Sequence, residues 1–241
     1  MTDDTHAPPR TPATEDDDPR CLRPGEAVAA LAHVPWRRVV ILGEHESRPA
    51  RAAVVPGYRA VSWSDRVSGA LRAAHPDLAC RAARGRKDLS LFEMRSRQVL
   101  DALVFRGDLA LISCGGPELR QATFDLDSVE SELSRVLDSL RGATYRHAVV
   151  ISPFDRSTAA GPPADPASPA RRDAVRARQL RLVQRIALVT LHHAAQHVDL
   201  MRHQRGLDPR TLWAPGPGRL SSRGHAVAAA AVVRALARRQ P

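Results

Sequence analysis

Cysteine is scarce in this chain of 241 residues, with three at Cys21, Cys80 and Cys114. They are too few and too scattered for a disulfide framework or a zinc site. Aromatic residues make up only 4%, which leaves no platform on which successive bases would stack. Lysine is nearly missing: Lys87 is the one member of the 36 Lys+Arg that is not arginine. No apolar run approaches the ~20 residues needed to cross a bilayer. The opening MTDDTHAPPR has neither the basic start nor the apolar stretch of a signal peptide. Together these absences predict a soluble, cytoplasmic protein that needs no metal or cofactor and has no membrane partner.

What is present suffices for a sizeable core, since 43% of residues are apolar and the length suits one large α/β domain. The net charge of +10 is unevenly spread: residues 1–20 hold six acids against two arginines, and residues 171–241 hold fourteen arginines against three acids. A basic balance suits binding to nucleic acid or another polyanion. A chain rich in alanine, arginine and proline but poor in lysine is also what GC-rich codon usage produces.

Residues 1–36 open with Asp, Thr and Pro and lack apolar periodicity, so they read as an acidic, largely disordered N-terminal tail. The domain then occupies 37–241. Val39-Val-Ile-Leu-Gly43 is a short, wholly apolar run, as a buried parallel strand requires. Further strand-like pieces follow at 78–83, 109–114, 147–152 and 197–200. Between them, apolar residues recur at helical spacing over 63–75, 88–104, 126–141 and 171–195, and a last helix runs from Ser221 or Ser222 to about 239. Strands alternating with helices predict an α/β fold, a three-layer α/β/α sandwich around a five-stranded parallel sheet. Ligands of such sheets bind outside the carboxyl ends of the strands.

The loops at that edge, with their surroundings, resemble the SGNH (GDSL-type) hydrolase family, especially its actinobacterial cytosolic members. The resemblance covers roughly 37–239. It rests on Val39–Gly43 with its loop, Ser62-Trp63-Ser64-Asp65-Arg66, Ala83-Arg84-Gly85 and Leu109-Ala-Leu-Ile-Ser-Cys-Gly-Gly116. Val198-Asp-Leu200, Leu212-Trp213 and Leu220-Ser-Ser-Arg-Gly-His225 complete it. It implies the flavodoxin-like sheet of that family and ester hydrolysis by a serine nucleophile, an oxyanion hole and an Asp-x-x-His pair.

The residues at the implied catalytic positions are the wrong ones. Gly43-Glu44-His45-Glu46-Ser47 occupies the nucleophile loop, with His45 where the serine belongs. Gly85 matches the oxyanion glycine, but Pro117 of Gly115-Gly116-Pro117-Glu118 replaces the oxyanion asparagine and has no N–H to donate. Gly216-Pro217-Gly218-Arg219 falls where Asp-x-x-His belongs, so Gly216 replaces the carboxylate and Arg219 the base. Arginine stays protonated and cannot take the proton. His225 matches a non-catalytic position. The resemblance thus implies a catalytically inactive relative, a pseudoenzyme acting as a ligand-binding, protein-binding or regulatory module.

Two other readings remain. Ser47 is a weak candidate nucleophile with His45 or His225 as its base, or His45 and Glu118 form a rebuilt site; either gives a divergent esterase. Alternatively Arg171, Arg178, Arg181 and Arg185 share a helix face that binds nucleic acid, an acidic partner or the chain's own Glu15–Asp18. Glu44, His45, Glu46, Gly85, Glu118 and Arg219 are expected to share one rim, as a ligand site or as a salt-bridged plug in which Arg219 meets Glu44 or Glu118. His192, His193 and His197 do not share a helix face and are not expected to hold a metal. Trp63 and Trp213 read as core or cleft-wall residues.

Overall fold

Four consecutive apolar residues, Val39 to Leu42, are inaccessible to solvent, which a strand achieves only where both faces of its sheet are covered. In the computed structural model, which describes residues 12–43, 54–83, 89–121, 123–159, 169–215 and 218–238, this run forms β1 (Arg38–Gly43). It lies in a five-stranded parallel sheet with β2 (Ala79–Ala82), β3 (Leu109–Ser113), β4 (His147–Ser152) and β5 (Gln196–Asp199), in the order β2-β1-β3-β4-β5. The described helices are α1 (Glu26–Leu31), α2 (Trp63–Ala74), α3 (Leu91–Arg97), α4 (Val99–Phe105), α5 (Leu126–Arg141), α6 (Pro169–His192), α7 (Leu200–His203) and α8 (Ser222–Ala237). Among them no helix is long and apolar enough to cross a membrane.

Side chains alternate across a strand, and here the alternation divides two cores. Val39 and Ile41 pack with Leu31, Val67, Leu71 and the alanine-rich face of α8, while Val40 and Leu42 pack with Met94, Ala102, Leu133 and Ile186. The expected three-layer α/β/α sandwich is the observed one. Local signals explain the helix ends. The Ser62 hydroxyl accepts the Asp65 N–H to start α2, and the Asp125 carboxylate accepts the N–H groups of Asp127 and Ser128 to start α5. α5 buries Val129, Leu133, Val136, Leu137 and Leu140, the stripe its spacing predicts.

Three expectations change. The single helix expected over 88–104 is two, joined at Gln98, whose buried side-chain oxygen accepts the Gly43 N–H at 2.7 Å. Second, residues 12–36 are no loose tail. Glu15 and Asp18 are buried, and Leu31, Val34 and Trp36 are part of the first core. The acids are tolerated inside because arginines meet them: Arg66 and Arg59 at Glu15 (2.5 and 2.6 Å) and Arg223 at Asp18 (2.9 Å). Third, those pairings take Glu15 and Asp18 away from α6. Its arginines find other acids, Arg176 at Asp155 (3.1 Å) and Arg185 at Asp127 (3.0 Å) and Glu130.

Candidate functional site

Strand order reverses direction between β1 and β3, and ligands of open parallel sheets bind outside such a switch point. The two strands meet tightly there. Gly43 ends β1 with φ +103°, and a β-carbon on it would lie 1.9 Å from the Ser113 carbonyl oxygen of β3. Of the residues singled out in the sequence, Glu44, His45, Glu46, Ser47, Gly85 and Gly216 lie outside the described residues. Pro117, Glu118, Arg219 and His225 lie within them.

Pro117 leads into a short 3-10 turn, Glu118–Arg120, directly after the loop that leaves β3. Glu118 is buried, and its carboxylate accepts the Gly115 N–H at 3.1 Å and the Leu91 N–H at 2.7 Å. It therefore ties the β3 loop to the first residue of α3. An ionised carboxylate with two backbone donors is well satisfied, and those donors are committed to it. Cys114, next in the same loop, carries an inert thiol: burial, then the charge of Glu118, pushes its pKa up.

The segment before α8 returns on itself. Trp213 and Leu220 form an antiparallel bridge, and the Arg219 carbonyl accepts the Ala214 N–H at 2.8 Å. Gly218 within this return has φ +62°, and a β-carbon on it would lie 1.8 Å from a guanidinium nitrogen of Arg156. The same guanidinium lies 5.7 Å from the centre of the Trp213 ring.

His225, in the first turns of α8, accepts the Trp63 N–H through Nδ1 at 3.2 Å. A backbone N–H can only donate, so the neutral ring carries its proton on Nε2. That nitrogen is buried and has no partner among the described residues. Burial, then the positive charge of Arg66, pushes the His225 pKa down to about 3. The ring is a donor near neutral pH and is unsuited to be the base of a relocated nucleophile.

Trp63, Trp213, Phe154, Ser152, Arg156 and His225 meet around a cavity of about 90 Å³ at the carboxyl ends of β3 and β4. Ser152 faces His197, whose Nε2 lies 3.0 Å from its hydroxyl. His193 instead lies 3.2 Å from Asp138. Trp63 and Trp213 are buried cavity walls, the role expected of them. Arg156 was not legible as a site residue, because its relation to Trp213 and Gly218 spans more than fifty residues of sequence.

The buried imidazoles set a pH dependence. His225 is held neutral, with its folded pKa below the ordinary 6.5, so the unfolded chain binds the proton first as pH falls. Stability is therefore full above pH 6.5 and declines from there towards pH 3. From pH 7 to 5, His225 alone should remove about 2 kcal/mol. That corresponds to about 4–8 °C in melting temperature for a domain of this size. His197 and His203, also shifted down by burial, add in the same direction. Thermal melts of His225→Asn should show a visibly shallower decline over this range, and an unchanged slope would refute the assignment.

No protein-family model and no curated protein matches the sequence. Solved structures do. The acetylxylan esterase Axe2 from Geobacillus stearothermophilus is 18% identical with a TM-score of 0.57, covering 86% of this chain and 96% of that one. A catalytic mutant of the same esterase gives 18% and 0.63, over 83% and 94%. LAE5, an α/β hydrolase enzyme from the metagenome of Lake Arreo, Spain, gives 17% and 0.64, over 86% and 97%. The fold is that of SGNH-type esterases. Within this SGNH-type fold the cavity lies on the β3–β4 side, and no described residue of β1 lines it.

Proposed function

We propose that this chain is a catalytically inactive SGNH-type protein, a binding or regulatory module rather than an esterase. One observation carries the reading: Glu118, next to Pro117 at the implied oxyanion-asparagine position, is a buried carboxylate that accepts the Gly115 and Leu91 N–H groups. An oxyanion hole works by aiming free donors at a charge that develops only in the transition state. Here a buried carboxylate stands beside that position, and its charge would oppose a second one forming nearby. Pro117 beside it offers no N–H. His225 presents a proton at Nε2 rather than a lone pair, and Cys114 is held as a thiol. Arg219 at the implied base position and His45 at the implied nucleophile point the same way.

The purified chain, treated with a fluorophosphonate probe and with nitrophenyl acetate, should show neither labelling nor turnover above buffer hydrolysis. Labelling that disappears in Ser47→Ala would overturn the proposal and identify a relocated nucleophile.

A further inference from the structure

A broad groove follows the free edge of β2 and the start of β1, away from the cavity at the carboxyl ends of β3 and β4. It encloses about 670 Å³, far more than the ~30 Å³ share of a water-sized occupant. Arg38, Arg72 and Arg81 line it, and no Asp or Glu is among the described residues that do. The three guanidiniums arrive from β1, α2 and β2, and each is held by a neutral group. Arg38 donates through Nε to the Arg106 carbonyl at 3.2 Å and lies 4.6 Å from the centre of the Phe105 ring. Arg81 lies 5.6 Å from the same centre, and Arg72 Nη2 donates to the Cys80 carbonyl at 3.1 Å. A carbonyl or a ring orients a guanidinium without cancelling its charge. Asp108, just before β3, spends its carboxylate on the backbone N–H groups of Arg37 and Arg38 (2.8 and 3.1 Å).

The strand in this groove is open along one side. β2 ends the sheet, with β1 as its one neighbouring strand. The N–H groups of Ala79 and Ala83 donate to the carbonyls of Arg37 and Ile41 on the β1 side, so by alternation those of Cys80 and Ala82 point outward. An edge of this kind is a template for another strand. The small side chains of Ala79 and Ala82 leave room for a second backbone, and Val104, 70% exposed, adds an apolar contact at the rim. A nucleic acid would use the arginines but neither the backbone edge nor Val104. The Phe105 ring, already stacked on two guanidiniums, is no platform for its bases.

We infer that this edge binds an extended acidic segment of a partner protein, which adds a strand beside β2 and sets its carboxylates on the arginines of the groove. Guanidinium forks match carboxylates in geometry as well as charge. Because Phe105 and the Cys80 carbonyl already hold the arginines in place, little side-chain freedom is lost when the segment arrives. The inference goes beyond the inactive reading and does not depend on it, since the groove shares no lining residue with the cavity beside α8.

Fluorescence anisotropy of the full chain with a labelled peptide of four Glu-Val repeats tests it. That peptide should bind saturably at one site, and the same peptide with Lys in place of Glu should not bind. Methylating the amide nitrogens of either the Glu or the Val residues removes one row of backbone donors. At least one of these two peptides should lose about tenfold in affinity. Arg81→Glu should weaken the parent peptide about tenfold, whereas Arg202→Glu, at an exposed site on α7, should leave it unchanged. A thymidine octanucleotide should bind more weakly than the peptide. If either variant fails to fold, the peptide comparisons on the unaltered chain still decide. No saturable binding, binding of the Lys peptide, full affinity of both methylated peptides, equal effects of the two arginine variants, or tighter binding of the oligonucleotide would each overturn the inference. None of these outcomes changes the fluorophosphonate result, so a failure here and a failure of the inactive reading are told apart.

Discussion

Replacing Asp18 by alanine is expected to destabilise the fold by about 3–5 kcal/mol, the usual result of leaving one member of a buried ion pair without its partner. Asp18 is 1% exposed, and the Arg223 side chain beside it is 3% exposed. The carboxylate accepts from Arg223 Nε (2.9 Å), the Tyr58 hydroxyl (2.9 Å) and the Arg20 N–H (2.9 Å). Burial alone would raise its pKa, but these hydrogen bonds outweigh burial and hold it below the ordinary value. Asp18→Ala strands a guanidinium inside the protein and should lower the melting temperature by about 6–20 °C. The paired change Asp18→Leu with Arg223→Met should recover much of the loss, since an apolar pair of similar volume often substitutes for a buried salt bridge. Thermal and urea melts of the three proteins check this, and an Asp18→Ala protein as stable as the parent would refute the clamp. Glu15, brought to about 2 by Arg66 and Arg59 against the effect of burial, extends the clamp. Its contribution is present above pH 4.5 and is lost as pH falls from there towards 2. This window lies lower than the histidine window, so the two separate in a pH series.

Gly43→Ala should be comparably damaging, at the point where β1 hands over to the candidate site. A residue with a side chain at φ +103° costs about 1–3 kcal/mol in backbone strain. The added β-carbon would also meet the Ser113 carbonyl at 1.9 Å, and because that atom is backbone, the two central strands must separate. Forced shifts of this kind cost a further ~1–3 kcal/mol. They would also disturb the Gly43 N–H bond to Gln98 that seats the joint between α3 and α4. Gly69→Ala is the internal control. Gly69 lies on the exposed side of α2, and nothing stands within 4 Å of where its β-carbon would be. That substitution should stabilise the protein by about 0.5–1 kcal/mol. Opposite signs from one substitution type at two sites are measurable by denaturant melts; equal effects would mean that the β1–β3 contact is looser than described.

The sequence by itself determined the layered fold. Runs such as Val39–Leu42 and Leu109–Ile112 are apolar at successive positions, a pattern that only a sheet covered on both faces satisfies, and α5 was readable over 126–141 from its apolar spacing. Pro117 and Arg219 were read as unsuited to the roles the resemblance implies, because those side chains lack the needed donor or acceptor in any surroundings. Tertiary structure decided the rest. Residues 12–36 looked like a solvated acidic tail because composition records charges and not their partners; Asp18 is separated from Arg223 by 205 residues. Glu118 looked like a rim residue until its carboxylate was found on two backbone N–H groups. His225 looked incidental, yet its ring nitrogens differ because one meets Trp63, 162 residues away, and the other meets nothing described. Periodicity is a local property of the chain and survives in the sequence. The fate of a buried charge or an unpaired N–H depends on what distant segments bring to it, and that is settled only when the chain has folded.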